Sequence, residues 1–172
     1  MGGPAEAKLA EPCTQMTRLL AILFVFILLF HSCAKDKGPV PFQVSDRSLF
    51  ELVQQTAGSG YYQSGAVLPG AGNSPHGSFK LRMNSVAQRV LNSAGELPAG
   101  GTFPDSSLIV KELQLPGTTQ YAVMYKDGAS WAWAEQSASG NAVYSVTSKG
   151  ASCIPCHSGS TNRDLVRTFD LH

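Results

Sequence analysis

Leu108-Ile-Val-Lys-Glu-Leu-Gln-Leu115, Gln120-Tyr-Ala-Val-Met-Tyr-Lys126 and Trp131-Ala-Trp-Ala-Glu135 decide the fold of this chain. Each run is rich in β-branched and aromatic residues, and turn residues separate them, with Lys126-Asp127-Gly128 leading into the third. Sequential strands joined by short turns pair antiparallel. Period-two counting puts Ile109, Lys111, Leu113 and Leu115 on one face of the first strand, and Leu108, Val110, Glu112 and Gln114 on the other.

Working outward, Phe79, Leu81 and Met83 alternate with Lys80, Arg82 and Asn84, which predicts a half-buried strand with one wet face. Asn84 or Ser85 caps a short helix with Val86, Val90 and Leu91 inward, ending before Gly95. Ser48 and Glu51 have capping-box spacing, and the apolar stripe Leu49, Phe50, Leu52, Val53 predicts a helix over 48–56. Residues 58–77, rich in Gly, Ser, Pro and Asn, read as a long loop carrying Tyr61, Tyr62 and His76. Downstream, Ala142 to Val146 forms a short extended piece and 163–169 a last helix. The fold class expected is α+β, an antiparallel sheet of four or five strands with a few short helices on one side or at its end.

The chain has 172 residues and a net charge of +1, with no basic stripe, which argues against nucleic-acid binding. Leu19 to Phe30 is an uncharged apolar run preceded by Arg18 and followed by His31, Ser32 and Cys33. That order is a secretory signal, and the run is short of the roughly 20 residues of a transmembrane helix. Residues 1–32 are therefore read as a signal peptide containing Cys13, with Met16 a second candidate start. Phe30-His-Ser-Cys33 resembles a bacterial lipobox. Cys33 is then the lipidated first residue of a tether over 33–41, and 42–172 is one domain, anchored by its lipid to a membrane at the bacterial periplasm or outer surface.

Cys153-Ile-Pro-Cys-His157 is CxxCH, the attachment signature of a c-type haem. Two thiols at this spacing meet the two vinyl groups, and the adjacent imidazole of His157 becomes the iron's proximal ligand. A thioredoxin-like reading needs most of a domain after the motif, and only fifteen residues follow. A structural zinc site needs four ligands, and no second pair is present. One motif means one covalent haem, whose sixth position decides function. Met83 and Met124 are the mature methionines that would close it, and both sit in strand patterns. Trp131, Trp133 and Glu135 share a strand face, as pocket wall or ordinary core. Lys111, on an apolar face, is snorkelling, paired or lining a pocket, because burial disfavours its charged form.

Phe103-Pro-Asp-Ser-Ser-Leu-Ile-Val-Lys-Glu112, Tyr121-Ala-Val-Met-Tyr-Lys-Asp127, Trp131-Ala-Trp133 and a late CxxCH followed by Asp164-Leu-Val-Arg-Thr-Phe169 resemble the cytochrome P-460 family, which includes the beta-type c-prime cytochromes. The resemblance covers about residues 75–170. It implies a mainly antiparallel sheet, commonly a homodimer, and a five-coordinate haem with His157 proximal and an open distal side. In the hydroxylamine-oxidising branch the lysine of VKE is cross-linked to the haem, a position that matches Lys111. That branch also has a distal carboxylate where this chain has Ala122, leaving Glu112 and Glu135 as substitutes. Three functions are thus expected, in order: binding of nitric oxide or related small nitrogen ligands, oxidation of hydroxylamine or nitric oxide with Lys111 at the haem, and plain electron transfer to a redox partner.

Overall fold

The computed structural model describes residues 41–70, 72 and 74–167. The apolar run Leu19 to Phe30, Cys33 and all but the last residue of the tether lie outside them. Among the described residues no helix is long and apolar enough to cross a membrane.

Six antiparallel strands follow one another in sheet order as they do in sequence: β1 (Val67–Leu68), β2 (Phe79–Met83), β3 (Leu108–Leu115), β4 (Thr118–Asp127), β5 (Ser130–Ser137) and β6 (Ala142–Tyr144). Helix α1 (Asp46–Gln55) precedes the sheet, α2 (Ser85–Gln88) joins β2 to the long β2–β3 connection, and α3 (Ile154–His157) follows β6. The α+β reading and the β3 bounds agree with the sequence expectation; the strand count is six rather than four or five. The extra strand, β1, arises inside the 58–77 loop, where Leu68 is buried against Phe79. Tight hairpins set the central register. Gly128, at φ +59°, makes the β4–β5 turn, and Asp127 pairs with Ser130.

Both faces of the sheet are covered, by different material. One face packs Leu108, Val110, Val123, Tyr125 and Ala134 against Leu49 and Val53 of α1. Complete burial of those two helix side chains contributes about 1.5–3 kcal/mol each. The opposite face carries Phe79, Leu81, Met83, Ile109, Leu113, Met124, Trp131 and Trp133, and faces the C-terminal segment.

Helix α1 starts two residues earlier than its spacing suggested. The cap is Ser45, whose hydroxyl accepts from Ser48 N at 3.1 Å while Ser48 Oγ accepts from Ser45 N at 2.9 Å. Glu51 instead pairs with Arg47 at 2.9 Å. The β2 face expected to be wet is also different, since Arg82 is 1 % exposed beneath α1. Its guanidinium donates to Glu112 at 2.6 Å, to Val53 O at 2.8 Å and to Thr56 Oγ1. Helix α2 is one turn long, capped by Asn84 as expected, with Ala87 as its buried residue.

The expected last helix is absent over its described part, 163–167. Asp164 and Leu165 take φ of +50° and +63°, conformations that no helix tolerates. The reason is that Asp164 is fully used in three directions. Its carboxylate accepts from Lys126 Nζ at 2.8 Å and from Phe103 N at 2.8 Å, and its carbonyl accepts from Trp131 Nε1 at 2.9 Å.

Candidate functional site

The cleft lies on the face away from α1, and β-register builds its floor. Leu81, Lys111, Ala122, Glu135 and Tyr144 are successive Cα partners across β2 to β6, so they stand in one row. Period-two alternation puts the side chains of such a row on one face. Ala122 is the small member, and it leaves a gap between Lys111 and Glu135. A β-bulge between Glu135 and Gln136 shifts the β6 register beside Glu135; bulges of this kind re-aim side chains next to sites.

The roof is the CxxCH segment. Gly150, at φ +70°, lets the chain cross the indole of Trp133, where a Cβ would come within 2.5 Å of the ring. The Gly150 carbonyl then accepts from Cys153 N and Ile154 N at 2.9 Å, which starts α3. Pro155 falls in the first turn, where its missing N–H costs nothing. The single turn brings His157 inward to 6 % exposure, its ring edge-on to Trp133 at 4.8 Å between centroids, and leaves Cys156 exposed.

His157 Nδ1 lies 2.7 Å from the Leu165 carbonyl, so it carries the proton and donates it there. Nε2 is left with its lone pair, the state of a metal-ligating histidine whose other nitrogen is held by a carbonyl. Burial, and then the positive charges of Lys111 and Arg167, push the imidazolium down against the opposing effect of that hydrogen bond, favouring the neutral ring. Cys153 and Cys156 are free thiols. Burial first, and then the charge of Glu135, push the Cys153 thiol up, opposite to the depressed value of a redox-active CxxC. Among the described residues no group of three or more His, Cys, Asp and Glu is gathered as for a bare metal ion. The donor set suits an organic group attached through two sulfurs and ligated by one imidazole.

Cys153, Cys156, His157, Lys111, Glu135 and His76 all line one cleft of about 280 Å³, open to solvent, near the lower end of the range of cofactor pockets. Behind it a small cavity of about 30 Å³ adjoins Lys111, Ala122 and Met124, enough for a water-sized molecule. Lys111 is 8 % exposed and has no ion pair among the described residues; its amine stands 4.5 Å from the centre of the Phe79 ring. It is buried rather than snorkelling, and it lines the cleft.

Burial, then Arg167, lowers the Lys111 pKa from 10.5 to about 8. The unfolded chain binds more protons between those values, so stability rises with pH across that window and the penalty is fully present below it. Lys111→Met is therefore expected to gain on the order of 3 kcal/mol at pH 7. It should also flatten the rise between pH 8 and 10.5, both read by urea unfolding.

Other candidates fall elsewhere. Glu112 is on the α1 face, bonded to Arg82 and to Tyr61 OH at 3.0 Å, so it does not substitute for a carboxylate at Ala122. Glu135 stands in the row beside Ala122, half-buried at the cleft. His76, carried by the 58–77 loop, reaches the same cleft. Met83 packs in the core; Met124 stands between Ile109 and Trp133 in register. Trp131 holds Asp164 and is remote in role from the cleft, whereas Trp133 supports His157. Tyr62 packs against the core beside α2's segment. The signal for Glu135 and His76 lay in register and loop course, which one-strand periodicity does not carry. Searches against protein-family models, curated proteins and solved structures find no match to the chain.

Proposed function

We propose that residues 42–172 form a mono-haem c-type cytochrome of the cytochrome P-460 kind, exported and lipid-anchored through Cys33, that binds nitric oxide or related small nitrogen ligands. The observation that carries this reading is the oriented imidazole of His157, with Nδ1 held by Leu165 and Nε2 free, at the mouth of a cleft that also holds both thiols. Cys153 and Cys156 would hold the group covalently and His157 would ligate it; when bound, it supplies an iron able to take a small ligand.

The chain's own residues support an open distal side. Met83 packs within the sheet's apolar face away from the cleft, and Met124, which borders the small cavity beside Lys111, is held in register between Ile109 and Trp133. Lys111 brings an unpaired amine to the cleft, a donor for whatever is bound there. Trp133 and the Leu165 carbonyl keep the His157 ring from rotating.

A second reading, oxidation of hydroxylamine or nitric oxide, is favoured by Glu135, a half-buried carboxylate next to Ala122 in the Lys111 row. Burial raises its pKa, against the lowering effect of the hydrogen bond from Gln120, which suits proton transfer.

An electronic spectrum with and without nitric oxide separates the readings. High-spin iron that shifts on adding nitric oxide is expected. Low-spin six-coordinate iron that does not respond refutes the open site in favour of an electron carrier. A red-shifted Soret band that persists after denaturation marks a Lys111 cross-link, and an ordinary c-type spectrum in the denatured protein excludes one.

A further inference from the structure

The cleft contains a donor and an acceptor that the reading above leaves without a task. The donor is the Lys111 amine, buried and without an ion pair among the described residues. The acceptor comes from a three-residue arrangement beginning on β4. Gln120 Nε2 donates to Glu135 Oε2 at 3.1 Å and fixes the carboxylate. Its other oxygen, Oε1, stands 3.7 Å from His76 Nδ1, beyond hydrogen-bond length but within reach as a charge. A carboxylate beside Nδ1 stabilises the tautomer with the proton on Nδ1. Nε2 then keeps its lone pair and has no hydrogen bond among the described residues. Burial, and then the positive charges of Lys111 and Arg167, hold the His76 imidazolium down to a pKa of about 4, so the ring is neutral at ordinary pH.

Resting on the haem reading, we propose that His76 is a specificity-determining residue that accepts a hydrogen bond from the ligand and so favours small nitrogen ligands carrying an N–H or O–H over diatomic gases. A ligand of the hydroxylamine class has lone pairs for Lys111 and a proton for His76. Nitric oxide and carbon monoxide have no proton to give, and they leave the imidazole acceptor unpaired in a half-buried site. A site built around such a bond discriminates against ligands that lack it. The small cavity beside Ala122, which His76 and Lys111 also line, has room for a water-sized molecule.

The test uses the haem-loaded chain at pH 8 under anaerobic conditions. Dissociation constants for hydroxylamine and for nitric oxide are read from the first Soret shift of the ferric protein, by stopped flow, in the wild type, His76→Leu and Glu135→Gln. A net hydrogen bond of about 1–1.5 kcal/mol corresponds to roughly tenfold. His76→Leu is expected to weaken hydroxylamine about tenfold and leave nitric oxide within about twofold, with Glu135→Gln moving in the same direction by less. Equal loss for both ligands, or no loss for hydroxylamine, overturns the proposal.

Nitrogen-15 NMR of ring-labelled ferrous carbonyl protein supplies a readout independent of affinity. His76 Nε2 should appear as an unprotonated ring nitrogen, and a protonated Nε2 overturns the assignment even if affinities change. Haem staining of a denaturing gel separates the two levels. No stain refutes the haem reading together with the proposal; a stained chain with an indifferent His76→Leu refutes His76 alone.

Discussion

Cys153→Ala combined with Cys156→Ala is expected to abolish covalent haem altogether, an all-or-none effect read by haem staining and by extraction with acid acetone. Thioether attachment requires a thiol at each of two points, and the only cysteines among the described residues are these two. They sit at the two ends of the one-turn segment that Gly150 starts, one half-buried and one exposed. The wild-type protein should retain its haem in acid acetone, and release of haem there would refute the assignment. His157→Ala makes the complementary case. It leaves both thiols in place, so staining should persist, while the spectrum changes through loss of the axial imidazole. Loss of staining in His157→Ala with an intact fold would mean that the imidazole acts in attachment rather than in ligation.

Arg82→Ala is expected to destabilise the domain by about 3–5 kcal/mol, the usual cost of removing one partner of a buried ion pair. Arg82 is 1 % exposed at its side chain and Glu112 14 %, and their contact is 2.6 Å. Alanine would leave Glu112 with Tyr61 as its only described side-chain donor, and would leave the Val53 carbonyl with only the longer bond from Thr56 Oγ1 at 3.2 Å among its described side-chain donors. Since Val53 and Leu49 dock α1 onto the sheet, the loss falls on the helix–sheet contact. Urea unfolding measures it. The double variant Arg82→Met with Glu112→Gln should recover most of the loss, because it removes the uncompensated charge and retains apolar volume. A single variant within about 1 kcal/mol of wild type would show that water replaces the guanidinium there. Neither residue lines the cleft, so haem attachment is expected to survive in the double variant.

The β3 strand was legible to its ends, because a run of eight alternating residues closed by Pro116-Gly117 leaves little freedom in a sheet. The same alternation put Lys111 on the apolar face, where the structure finds it buried. The helix expected over 163–169 is absent from 163–167 for a non-local reason: Asp164 makes its bonds to Lys126, Phe103 and Trp131, all distant in sequence. Arg82 was read as wet because alternation within β2 says nothing about a helix laid over its other face. The α1 start was read from Ser48 and Glu51, when the reciprocal bonds of Ser45 and Ser48 satisfy the same free N–H groups one turn sooner.

By itself the sequence determined the antiparallel order of the central strands, the facing of Lys111 and the CxxCH spacing of Cys153, Cys156 and His157. These are properties of spacing along one chain, with periods of two and of a single motif, and distant residues do not alter them. Tertiary structure alone decided which ring nitrogen of His157 is free, since the acceptor is Leu165 across a turn of left-handed backbone. It alone set Glu135 beside Ala122 and brought His76 to the cleft. Cross-strand register and loop return are fixed by pairing and burial summed over the whole sheet, and no local pattern encodes which side chains those forces bring face to face.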